Sequence, residues 1–148
     1  MEEFNNDQMN TEEAPKRPVF LTVLCVLTFI ASGLAAIFSL AMPLMKDWFI
    51  AMMQSNPNMD EKQYNDAMKA FDAGPAYFLL SFVLAAGSVV GAAFMWKLKR
   101  NGFHIYAFSN LALLFLPTLM LDMPMNMISV ILTVLFIGLY TVNWKVLK

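Results

Sequence analysis

The chain has 148 residues, 59% of them hydrophobic and only 14% charged, with a net charge of −1 and a mean hydropathy of +0.56. A soluble domain averages about 45–50% apolar residues, so this composition argues against one and for a bilayer as partner. No nucleic-acid partner is expected from a chain whose net charge is negative, and a single cysteine, Cys25, excludes an intramolecular disulfide or a paired-thiol relay.

The first thirteen residues carry Glu2, Glu3, Asp7, Glu12 and Glu13 among Asn and Gln, with little to bury. Residues 1–17 therefore read as a disordered acidic cytoplasmic tail. Charge is then absent over 18–45, 73–96, 101–121 and 123–144. Each window reaches the roughly 20 residues that cross a hydrocarbon core, and in lipid the backbone must satisfy its own hydrogen bonds, so helices are implied. The expected fold is all-α, an integral membrane four-helix bundle. Its segments are TM1 over 18–45, an extracytoplasmic loop over 46–74, TM2 over 75–96, a basic loop over 97–102, TM3 over 103–121, an outer turn over 122–124, TM4 over 125–144 and a C-terminal end over 145–148. A signal peptide is the rival reading of the first window, given Ser39-Leu40-Ala41, but 28 charge-free residues exceed an apolar region of about 7–15.

TM1 is long for a bilayer, and Pro43 marks a bend, with Lys46 to Met53 continuing as helix outside it. Ser55-Asn56-Pro57-Asn58 breaks that helix. A short amphipathic helix over about 59–71 follows, with Asn58 and Glu61 as a capping box and Tyr64, Met68 and Phe71 as its apolar stripe. Gly74-Pro75 opens TM2, since Pro suits the first helical turn, and Asp122-Met123-Pro124 does the same for TM4.

TM2 contains Gly87-Ser88-Val89-Val90-Gly91 followed by Ala92, a small-residue surface that lets two helix backbones approach closely. TM1 offers a matching surface in Ser32 and Ala36. Two readings of the motif stay open: packing of TM1 on TM2 within one molecule, or the seam of a homodimer. TM3 is the most polar span. Tyr106 and Asn110 share a face, and Asn110 near mid-membrane needs a partner such as Ser88 or Ser32, because an unpaired amide in hydrocarbon is costly. Its two readings are interhelical glue and ligand contact.

Orientation follows from charge, because Lys and Arg collect at cytoplasmic helix ends. Lys16, Arg17, Lys97, Lys99, Arg100, Lys145 and Lys148 fall on one side, whereas Lys46, Lys62 and Lys69 fall on the other among several acids. Both termini are therefore expected inside. Trp48, Trp96 and Trp144 sit at predicted helix ends, where an aromatic belt is usual.

Chemistry is sparse. No ionisable side chain lies in the spans to couple an ion, the one histidine, His104, is at the inner end of TM3, and no base stands beside a Ser or Cys nucleophile. No cofactor is expected. Ten of the thirteen methionines fall on the predicted outer side, and Met123, Met125 and Met127 have the spacing of a soft Cu(I) site, although Met is more often an apolar filler.

Arg17 to Ile30 and Met95 to Tyr106, the latter reading Met-Trp-Lys-Leu-Lys-Arg-Asn-Gly-Phe-His-Ile-Tyr, resemble segments of small uncharacterised four-span inner-membrane proteins of Bacteroidota type. The resemblance implies a bacterial inner membrane and carries over no functional residues. The function expected is non-enzymatic: a structural, accessory or regulatory role through helix packing, as a homodimer or with another membrane protein. The alternative is binding or transport of a small uncharged or lipid-like ligand at Tyr106 and Asn110, and the third reading is the methionine copper site.

Overall fold

The computed structural model describes residues 18–147, so the acidic tail lies outside the described residues. Six α-helices follow in order: α1 (Val19–Leu44), α2 (Lys46–Gln54), α3 (Glu61–Asp72), α4 (Pro75–Trp96), α5 (Arg100–Leu121) and α6 (Met127–Val142), with a 3₁₀ turn at Trp144–Val146. Strands are absent among the described residues. Helices α1, α4 and α5 are long and apolar enough to cross a membrane; α6 is equally apolar but has 16 residues.

The break after Pro43 falls at Met45, whose N–H still bonds Ala41 and Met42 while its φ of −106° ends α1 and lets α2 set off anew. Asn58 does not cap α3. It is taken up in a turn, its N–H bonded to the Asn56 side chain at 3.1 Å, and the cap passes to Asp60, which accepts from Lys62 N–H at 3.3 Å. Helix α3 accordingly starts at Glu61. Phe71, on its apolar stripe, is buried between Phe49 of α2 and Phe78 of α4, at ring separations of 6.0 and 5.6 Å. Helices α2 and α3 thus form a cap joined to the start of α4 by an aromatic stack. The turn into α4 uses Gly74 at φ +77°, a conformation that favours glycine, followed by Pro75 at the helix start.

Helix α4 lies between α1 and α5, while α6 meets the others sparingly. The reason for the tight α4–α5 pair is a link of only three residues, Lys97 to Lys99. Leu98 adopts φ +60° there, and Lys99 N–H returns to the Phe94 carbonyl at 2.9 Å. Burying the Leu98 side chain offsets the backbone strain.

Helix α6 is shorter than the 125–144 expected from the charge-free window. At its start Asn126, not Pro124, supplies the cap, accepting from Ile128 N–H at 3.0 Å, and residues 122–126 form a turn that begins with Asp122 at φ +48°. At its end the helix stops at Val142, and Trp144 belongs to the 3₁₀ turn.

The fully buried core gathers at one end, from Leu21, Leu24, Cys25, Met95, Leu98, Tyr106, Tyr140 and Leu147. The start of α1, the α4–α5 link and the segment after α6 therefore meet there, and the α2–α3 cap occupies the opposite end. Arg100 fastens this end: its Nε donates to the Leu147 carbonyl at 2.7 Å, and its guanidinium lies 5.7 Å from the Trp144 ring. Trp144 also packs on Phe103 and His104, and Trp96 on Phe29, so these two residues contribute to the core as well as to the helix ends.

Candidate functional site

A polar layer crosses the apolar bundle. Thr28 and Ser32 lie one turn apart on α1, Ser88 is on α4, Tyr106 and Asn110 are one turn apart on α5, and Tyr140 is on α6. The Asn110 amide donates one hydrogen to Ser88 Oγ at 2.9 Å and the other to the Tyr106 carbonyl at 2.8 Å. Ser88 Oγ in turn lies 2.9 Å from Ser32 Oγ. Asn110 thus reaches Ser88 directly and Ser32 through it. Next to this chain, Thr28 Oγ1 and Tyr140 Oη share a buried hydrogen bond of 2.8 Å, and the rings of Tyr140 and Tyr106 meet edge to face at 4.8 Å. In a medium without water, such mutual pairing satisfies hydroxyls and amides that would otherwise cost several kcal/mol each, about 4–8 in the least polar reference.

The Thr28–Tyr140 pair joins the first and last long helices across 112 positions. No local spacing in the sequence announces it. The same holds for Leu147 and Arg100, which read only as a chain end and an interfacial charge.

The glycine motif lies elsewhere than on α1. A Cβ placed on Gly91 would stand 2.6 Å from Tyr106 N and 2.8 Å from the Gly102 carbonyl oxygen, and one on Gly102 would meet the Gly91 carbonyl oxygen at 2.5 Å. Gly87 faces Ser109 Oγ at 2.6 Å. The motif therefore seats α5 against α4, and within one chain its surface is already covered. Gly102 is the partner that sequence reading missed, because it stands in what reads as the end of a basic loop. Ser88, one position from Gly87, turns to α1 and α5 together; Ala92 and Ala36 are buried.

Of the cavities beside these helices, two border residues singled out from the sequence. One, of about 170 Å³, lies beside the polar layer and is lined by Thr28, Ala31, Ser32, Tyr106, Asn110, Leu132, Thr133 and Phe136. The other, of about 630 Å³, lies at the α3 end between α3, α4, α5 and the start of α6. Met123, Met125 and Met127 all border it, but Met125 is 40% and Met127 70% exposed, so much of their surface faces outward. No cluster of three His, Cys, Asp or Glu side chains able to hold a metal occurs among the described residues.

Comparison with family models, with curated proteins and with solved structures finds no match to this chain.

Proposed function

We propose that this chain is a non-enzymatic multipass protein of a cell inner membrane. It crosses four times with both termini cytoplasmic, and acts through helix packing as a structural, accessory or regulatory subunit, alone as a homodimer or with another membrane protein. The observation that carries this reading is the polar layer: Asn110, Ser88 and Ser32 bond in one chain and Thr28 with Tyr140 in a second beside it. Groups engaged in this way specify which helices meet.

Helix α6 joins the crossing segments because its 16 residues span about 24 Å, and the flanking turns supply the rest of a core of about 30 Å. Basic residues at the Lys97–Arg100 link and at Lys145 favour a cytoplasmic end. With Cys25→Ser as background, Ser55→Cys should react with an impermeant maleimide on intact cells, and Lys145→Cys only after lysis. The reverse pattern would overturn the orientation. Since Gly87 and Gly91 are covered by α5, a partner is expected on the outward faces of α1 or α6. Photocrosslinkers at Ile37 and Ile131 should give a discrete protein adduct from one face; lipid adducts alone from both would refute the packing role.

The cavity beside Tyr106 and Asn110 favours a second reading, binding of a small uncharged ligand. A volume of about 170 Å³ is close to the roughly 150 Å³ that admits benzene, and too small for a lipid. Thr133→Phe, which fills it, should abolish any saturable effect of benzene on the ring signals of Tyr106. An effect unchanged by the substitution would rule this site out.

A further inference from the structure

The cavity of about 630 Å³ at the α3 end has a construction that the packing role does not use. Its rim on α3 carries Lys62 and Asp66, one turn apart, and neither closes an ion pair among the described residues. Its wall on α5 is apolar, with Leu114 and Leu121, and contains Thr118, whose Oγ1 is buried and makes no hydrogen bond. A threonine in a helix ordinarily returns its hydroxyl to a carbonyl three or four residues back, and this one is closed off inside the wall instead. Pro117, having no N–H, cannot serve as the helical donor to the Leu113 carbonyl, which is also at the cavity.

We propose that this cavity binds the headgroup and glycerol region of an amine-bearing zwitterionic phospholipid. The phosphodiester anion pairs with the Lys62 ammonium, and the lipid's primary ammonium donates to the Asp66 carboxylate. A volume of about 630 Å³ falls in the range of sites that enclose a small organic molecule, about 300–1,000 Å³. The acyl chains leave past the start of α6, where Met127 and Ile128 are mostly exposed. A soluble phosphoamine would satisfy the rim but leave the half-buried Leu114 and the exposed Met127 uncovered, so the bilayer is the source the lining favours.

The inference rests on the membrane placement above and not on the packing role, and the labelling experiment tests that placement separately. The full chain in mild detergent is titrated with phosphatidylethanolamine, phosphatidylglycerol and phosphatidylcholine and read by native mass spectrometry. Phosphatidylethanolamine should bind at least fivefold better than either: phosphatidylglycerol lacks the ammonium, and the methylated ammonium of phosphatidylcholine cannot donate. Asp66→Asn should erase that preference, and Lys62→Gln should weaken all three lipids, with Cys25 burial unchanged in both. Equal occupancy by the three lipids, or a preference untouched by Asp66→Asn and Lys62→Gln, would overturn the proposal. Binding of glycerophosphoethanolamine as tight as that of the whole lipid would overturn the bilayer source.

Discussion

Replacing Gly91 by alanine adds one methyl group where α4 and α5 touch backbone to backbone. The new carbon would stand 2.6 Å from Tyr106 N and 2.9 Å from Tyr106 Cα, where ordinary contact begins at 3.4 Å, so α4 and α5 must part by about 0.8 Å. Every atom it meets belongs to backbone and cannot swing aside. Overpacking of this kind costs about 1–3 kcal/mol, and the better helix preference of alanine returns about 0.5–1 kcal/mol, leaving a loss of about 1–2 kcal/mol. The same change at Gly87 meets only the Ser109 hydroxyl, which can rotate, and at Gly33 meets nothing within 4 Å. Both should stay within about 0.5 kcal/mol of the parent. Cys25 is fully buried and is the sole cysteine, so its reaction with a maleimide reports opening of the core. Gly91→Ala should raise the labelling rate about five- to thirtyfold, as expected when one or two kcal/mol are lost. A rate equal to that of the parent, or a larger effect at Gly87 than at Gly91, would refute the account of the α4–α5 contact.

The same thiol readout serves the other expectations. A double-mutant cycle of Ser88→Ala and Asn110→Ala should return a coupling of about 0.6 kcal/mol, and a coupling of zero would mean that the bond adds nothing over its alternatives. Leu147→Ala, which empties a fully buried position, should cost about 2 kcal/mol and expose Cys25, whereas unchanged protection would show that the chain end does not hold the core. Asp122→Asn should be neutral because Asn accepts a left-handed backbone, and Asp122→Val should lose about 1 kcal/mol; equal stability of the two would count against the turn at φ +48°.

The long helices were readable because charge-free windows mark them, and the breaks at Ser55 to Asn58, Gly74-Pro75 and Asp122 carry local turn chemistry that sequence displays. Helix ends were less legible. Asn58, Asp60 and Pro124, Asn126 are pairs of residues each able to begin a helix, and the choice depends on which backbone N–H each side chain reaches. Partners across the bundle were least legible of all. Small residues on α4 announce that something approaches closely, but they face α5 because Gly102 opens its backbone there, a property that no spacing within α4 encodes. Thr118 likewise reads as an ordinary helical threonine until its hydroxyl is seen to lack a partner.

Tyr140 is the one fully buried residue of α6, and it acts as a pivot. The helix supplies a wall to the small cavity through Thr133 and to the large one through Met127, seven and thirteen residues from that pivot. At 1.5 Å per residue these lever arms are about 10 and 20 Å. A rigid tilt of α6 about Tyr140 that moved Thr133 by a given amount would move Met127 about twice as far, so the cavity at the α3 end would be the more sensitive of the two.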